Sequence, residues 1–414
     1  MKIEEAEVLE LAPEAKTPNL AEMTWLFLKL GSIGFGGGIA MIALMEQEFV
    51  KRRHCIDTEE FLHGVALSQI LGSFPVNTAL FIGYRLHGFL GGLFGSTVFL
   101  FPSFAAVIIL SWLYFTYSKI PSLQSILDGL APVVIGVILT AAWSMGQKTI
   151  GSYVAVGIAI GGCIGTLTKI NPVLILGVGG IIGLLLKMTP RKPPLKKPSD
   201  QPQAAIALPL AMEVLPHKIA QLTEPTSQPA TINLVTLGLT FLKVGFVFFG
   251  GGFVLIPVLK QLLIDNLHWL TQKEFIDGVA ISQLTPGPIA VISTFAGFRV
   301  AGLAGAIVAT VGLFLPSIVL MFFLSMYYQK VKHWQPVKHF LSGVNPAVVG
   351  MVVSAAINLA PSVFPLDQPL KITINAILLA VSLLVIGKLK WHPAIALGMG
   401  ATVGVIMNFV PGLA

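Results

Sequence analysis

The stretch with the most chemistry in this sequence is Ser282-Gln-Leu-Thr-Pro286-Gly287-Pro288. Pro-Gly-Pro can neither continue a helix nor pair as a strand, so it frees backbone amides. A helix restarting at Pro288 aims unpaired N–H groups and its positive dipole end at the space before it, which suits an oxyanion. Ser282 and Gln283 add neutral donors, and Ser68 and Gln69 repeat them earlier in the chain. Arg85 and Arg299 supply planar cationic forks that can hold a tetrahedral oxyanion through two N–H groups. An arginine pair buried together would attract a dianion.

These residues belong to a module that occurs twice. Phe27-Leu-Lys-Leu-Gly31 and Phe35-Gly36-Gly37-Gly38 return as Phe241-Leu-Lys-Val-Gly245 and Phe249-Gly250-Gly251-Gly252, an offset of 214 residues. The offset holds without a gap through Glu60-Phe61/Glu274-Phe275 and Gly83-Tyr-Arg85/Gly297-Phe-Arg299 to Pro102-Ser103/Pro316-Ser317. Of the 77 paired positions 25 are identical, too many for two unrelated apolar segments.

Composition decides the surroundings. With 55% hydrophobic and only 11% charged residues, the chain cannot cover a soluble surface, for which about 25% charged is usual. Lipid must cover it instead, which makes this an all-α polytopic membrane protein. The net charge of +7 sits mostly in loops and a central linker, where it reads as a topology signal rather than as nucleic-acid binding. Cys55 and Cys163 make no disulfide framework and have no metal-ligand companions. No nucleotide loop, metal spacing or nucleophile–base pair points to an enzyme or a cofactor.

The chain divides into an acidic solvated tail (1–22), a first repeat (23–187), a Pro- and Lys-rich linker that cannot bury a core (188–231) and a second repeat (232–414). Met23 to about Val50 is long enough to span. Its glycine cluster at Gly36, Gly37 and Gly38 either permits close helix packing or breaks the helix. From Thr58 to Arg85, two short apolar pieces are divided at Gly72-Ser-Phe-Pro75. Short broken pieces at matching places of both halves point to a substrate site in repeat-built carriers. Longer apolar segments follow in each half.

Loop charges set the orientation. Lys51-Arg-Arg-His54 is basic, whereas its counterpart is Asp265-Asn-Leu-His268; the loop with only Lys119 corresponds to one with Lys330, Lys332 and Lys338. The basic bias changes sides, so the repeats are expected to be inverted, each with about five spans and a broken or re-entrant hairpin. With a spanning first segment this puts the tail outside. A parallel repeat with an even count is the competing reading.

Several charges have two readings. Arg85 and Arg299 contact substrate or snorkel toward headgroups. Glu60 and Glu274 follow Thr58 and Thr271 as helix-start caps, or carry protons. Lys29 and Lys243 sit at matched places inside the first spans, where a charge is costly and by default functional, or snorkel one turn to the interface. His54 and His268 repeat in loops, where a histidine is ordinarily solvated.

The ordered set of Phe-Gly-Gly-Gly, Glu-Phe-x-x-Gly-Val-Ala-x-Ser-Gln, Pro-Gly-Pro and Gly-aromatic-Arg resembles the long, two-domain members of the chromate ion transporter family. The resemblance covers nearly the whole chain outside tail and linker. It implies a bacterial plasma-membrane carrier that exports chromate under the proton gradient, gives chromate resistance, and has sulfate as look-alike. It maps family signatures onto Gly36, Gly37, Gly38, Ser68, Gln69 and Arg85, and onto Gly250, Gly251, Gly252, Ser282, Gln283, Pro286, Gly287, Pro288 and Arg299. One departure is that Gly72-Ser-Phe-Pro75 replaces Pro-Gly-Pro in the first repeat. Uptake of sulfate or chromate in sulfur metabolism is the alternative transport reading, and a non-transporting scaffold is the alternative of another class. A homodimer is not needed to complete a two-sided site, nor does the repeat exclude one.

Overall fold

The computed structural model describes residues 18–34, 37–117, 120–186, 233–247, 252–326, 335–365 and 368–408, and among them the chain is helical with no strand. The first half comprises α1 (Leu20–Ile33), α2 (Gly37–Met45, running on as the wider turn Glu46–Arg52), α3 (Thr58–Ile70), α4 (74–86), α5 (89–117), α6 (Pro121–Thr149), α7 (Tyr153–Leu167) and α8 (Pro172–Leu185). The second repeats the order as α9 (Leu234–Val247), α10 (Gly252–Val254 and Leu255–Lys260, running on through Gln261–Asn266), α11 (Gln272–Leu284), α12 (289–300), α13 (303–326), α14 (Gln335–Val363), α15 (Pro369–Ser382, extended by Leu383–Lys388) and α16 (Pro393–Asn408). The helix numbered eight higher is thus the counterpart of each helix in the first half.

The segment 23–50, long enough to cross, does not cross. Helix α1 starts on the Asn19 cap, whose side chain accepts from the Glu22 amide, and stops at Gly34. Arg53 then donates to Glu22 at 2.6 Å, and Phe27 stacks on Phe49 with centroids 5.1 Å apart. Both contacts require α1 and α2 to be antiparallel, with their outer ends on one face. Burial alone would raise the Glu48 carboxyl, but hydrogen bonds from Arg53 and Arg52 outweigh it and hold it below the usual carboxylate range. That ion cluster fastens the open end of the hairpin. Glu22, near the start of the described chain, therefore lies beside Arg53, on the face of the basic loop.

A second hairpin follows at once. Arg85 meets Glu60 at 2.5 Å and Gly64 faces the Phe81 ring, so α3 and α4 are also antiparallel. At 13 residues each, they reach about 20 Å, less than a bilayer core. Gly72, at φ 79°, turns the chain at the tip. The helix trace from Phe74 to Tyr117 is then folded back on itself at His87 (φ −138°) and Gly88 (φ 61°, ψ −147°), and its counterpart folds at Ala301 and Gly302 (φ 58°, ψ −146°). Only glycine takes that backbone cheaply. After each reversal the arms pack through glycine, Gly83 on Gly91 and Gly297 on Gly305.

The halves are inverted, as the loop charges suggest. Helices α5 and α13 are counterparts, yet they run in opposite directions against each other: Phe89 at the start of α5 stacks on Phe322 near the end of α13 at 4.7 Å, while Phe115 near the end of α5 lies 5.1 Å from Phe295 on α12. Arg53, Glu60 and Arg85 therefore share one face, and Glu274 and Arg299 lie on the other. The repeats also exchange their last helices. Gly162 of α7 and Gly183 of α8 sit against the α14 backbone, and Gly404 of α16 sits against α6. Small residues permit this approach in lipid. His54 and His268 close the two first hairpins in left-handed conformation (φ 50° and 51°), with Cys55 N donating to Phe49 O and Trp269 N to Leu263 O at 2.8 Å. Their repetition has a backbone cause, a left-handed helix end that histidine tolerates better than most residues.

Single cysteines at the matched exposed positions Arg52 and Asn266, in a chain with Cys55 and Cys163 replaced, should react with a membrane-impermeant maleimide from opposite sides of the membrane. Labelling of both from the same side would contradict the inversion.

Candidate functional site

Because each re-entrant arm restarts at its tip, α2, α4, α10 and α12 all begin inside the membrane. The tips within a half touch: Gly38 lies against the Phe74 ring, and Gly252 against Ile289. Across the halves, Gly287 (φ 135°) sits against the Ser103 hydroxyl on α5. The second hairpins thus abut the crossed spans α5 and α13 near the bilayer middle. Four helix starts at one depth concentrate free amides and positive dipole ends there.

Buried side-chain atoms without a protein hydrogen-bond partner lie on these elements. They include Ser73 Oγ at the start of α4, both polar atoms of Asn77 one turn on, Ser103 and Ser111 Oγ on α5, and Gln283 Nε2 near the end of α11. An orphaned buried donor costs about 1–3 kcal/mol, so several on neighbouring elements call for an explanation, of which a polar partner is one. All are neutral. The chemistry on offer is hydrogen-bond donation backed by helix dipoles, with no fixed cation among these groups.

Residues expected from the sequence divide three ways. Gln283, Gly38, Gly252, Pro286, Gly287 and Pro288 are at the tips or one turn from them. Phe35, Gly36, Gly250 and Gly251 lie outside the described residues, while Gly37 starts α2. Ser68 and Ser282 are buried near the tips, but each hydroxyl donates to its own helix, at 2.7 Å to Gly64 O and 2.8 Å to Gly278 O. Gln69 is half-buried beside Ser68.

The arginines are not brought together. Arg85 and Arg299 stand at the outer ends of α4 and α12, on opposite faces, with side chains 41% and 46% exposed. Eleven residues of helix put each about 16 Å from its tip. Arg299 is held by Glu274 at 2.7 Å and lies 5.6 Å over the Phe115 ring of the other repeat. Glu274 has two roles, since its other oxygen accepts from Thr271 N at 2.8 Å in a reciprocal cap. In the first half these roles are split: Asp57 caps α3 and Glu60 pairs with Arg85. Lys29 and Lys243 are on exposed stripes, next to Trp25 and Ile33 and to Leu239 and Phe246. Both lysines are thus exposed among exposed apolar side chains, away from the buried tips.

Asn77 and Ser103 were missed by motif reading. Ser103 was visible as half of the repeated Pro-Ser pair, and Asn77 as an amide inside an apolar run where the second repeat has Val291.

The comparisons agree with this architecture in both halves. The chromate transporter family matches residues 21–184 and 235–405. A probable chromate transport protein of Synechococcus elongatus is 32% identical over 343 residues, covering 82% of this chain and 84% of its own. The chromate transport protein of Cupriavidus metallidurans is 28% identical over 355 residues, 84% of each chain. A half-length relative, the uncharacterized transporter YwrA of Bacillus subtilis, is 25% identical over 162 residues, 39% of this chain and 89% of its own. No solved structure matches the chain. With both repeats matched, and matched in order, the chain belongs to the chromate transporter family.

Proposed function

We propose that this membrane protein is a secondary active carrier that exports chromate across the plasma membrane under the proton gradient and so gives chromate resistance. The observation that supports it is that neutral side-chain atoms buried without a partner lie on the elements that carry the re-entrant tips, with Gly287 against Ser103 joining the two repeats there. A tetrahedral dianion would take hydrogen bonds from Ser73, Asn77, Ser103 and Gln283 and from the amides opening α4 and α12, replacing its hydration shell. Neutral donors hold a dianion without trapping it, as a carrier requires. Chromate and sulfate share shape and charge, so sulfate competes. Every one of these groups binds and none is a nucleophile placed beside a base, which favours transport over catalysis.

The face carrying Lys51, Arg52 and Arg53 is cytoplasmic by the positive-inside rule, with Lys148 and Lys388 ending helices on the same face. Arg85 and Arg299 then stand at the two mouths, collecting the anion by charge and passing it to the tips. Tilting of the hairpins against α5 and α13 would open one mouth at a time.

Everted vesicles should accumulate chromate when a proton gradient is imposed; loss of chromate from preloaded vesicles under the same gradient would instead assign import. Asn77→Leu should keep its fold and melt at or above the wild-type temperature, because an unpaired buried amide worth about 1–3 kcal/mol of penalty is removed. Its chromate uptake should fall at least tenfold, and wild-type uptake would place the anion elsewhere. Arg299→Ala should lose transport while folding normally, its exposed pair contributing about 1 kcal/mol or less, and Arg299→Lys should rescue poorly for lack of the planar fork. Normal transport by the alanine variant would leave Arg299 a headgroup contact.

A further inference from the structure

The hairpin arms α3 and α11 differ at one buried place. Asp277 stands on α11 where His63 stands on α3. Asp277 is 1% exposed, whereas His63 is half-buried and lies 3.4 Å from Glu59. Asp277 also reaches across the repeats, its Oδ2 accepting from the Tyr114 hydroxyl of α5 at 2.8 Å. Asp277 is among the residues lining a cavity of about 310 Å³ bounded by the starts of α6, α11 and α15 and the end of α14, all on the face of Arg299, opposite the basic one.

The charged groups around it are already committed. On α6 Asp128 holds both Lys273 of α11 and, at 2.8 Å, Lys371 of α15. Glu274, one position beyond Lys273, is bonded to Arg299. Among the described residues no cation is bonded to Asp277. Asn375 of α15 lines the same cavity, 2% exposed; its Nδ2 donates to Val363 O at 2.6 Å and its Oδ1 has no partner. A buried carboxylate without a cation partner is costly, and its charge is relieved by taking a proton. Six residues along α11 separate it from Gln283, about 9 Å.

We infer that Asp277 is the proton-binding group of the carrier, loaded through this cavity from the face opposite the basic one, and that its bond to Tyr114 carries its charge state to both repeats. The inference rests on the proton-coupled reading above. A hydronium in the cavity gives its proton to the carboxylate and leaves water. The resulting acid carries a donor of its own and fewer lone pairs for acceptance, so Tyr114 re-pairs and α11 loosens from α5. Because Gln283 rides on α11, the hairpin tip feels the change. The first repeat has no equivalent, since its matching residue is a histidine paired on the other face.

The test compares wild type, Asp277→Asn and Asp277→Glu in everted vesicles, reading three quantities: chromate–chromate exchange without a gradient, chromate accumulation under an imposed pH gradient, and the chromate-dependent pH change of a trapped dye. Asp277→Asn should keep exchange within about threefold of wild type while losing accumulation and the linked pH change by tenfold or more, with Asp277→Glu recovering part of both. Gradient-driven accumulation by Asp277→Asn at the wild-type level overturns the assignment while leaving the carrier reading intact. Loss of exchange together with accumulation, in protein of normal melting temperature, makes Asp277 a structural or substrate residue and also overturns it. Wild-type accumulation that follows a sodium gradient and ignores pH defeats the proton reading itself, and the inference with it.

Discussion

A helix that stops in the middle of a bilayer leaves amides and carbonyls without partners, and hydrocarbon offers none. Eight half-length arms among the described residues stop there, so everything else must shield their tips. The crossed pair α5 and α13 does so from the centre, pressing Ser103 onto Gly287, and the exchanged helices α7, α8, α15 and α16 close the periphery. Glycine lets these layers approach. Gly31 is pressed on the α5 backbone and Gly162 on that of α14, so a side chain at either place would part the walls that keep lipid from the tips.

The same constraint explains why the proposed site is made of neutral donors. Cations at the tips would bind a dianion tightly, but each would have to be buried against a large desolvation cost while the anion is absent. Amides, hydroxyls and helix starts impose a smaller penalty, already met by the fold. The guanidiniums of Arg85 and Arg299 stay at the outer helix ends, half-exposed and paired with Glu60 and Glu274.

Much of this was legible in the residues. The 214-residue offset, the breaks at Gly72 and Pro286 and the exchange of loop charge together indicated inverted repeats with interrupted helices. Length misled at Met23–Val50, since a count of apolar residues cannot tell a span from a hairpin of two halves; the Glu22–Arg53 contact that decides it joins positions 31 apart. Motif matching also drew the arginines inward, because sequence shows that Arg85 follows a tip but not that a whole helix intervenes. Asp277 was invisible for a related reason: its significance comes from Tyr114, 163 residues away, and from having no match in the other repeat.

That mismatch bears on why the two repeats share one chain. Half-length relatives exist, and a pair of identical half-length chains inserted in opposite senses would present every residue to both sides of the membrane. Fusion removes that symmetry. Once joined, Asn77 can stand where the other repeat has Val291 and Asp277 where it has His63, so an acid can be kept on one side only. The covalent link thereby gives the molecule a polarity that identical opposed copies could not encode, and a carrier with distinguishable sides can respond differently to what each compartment contains.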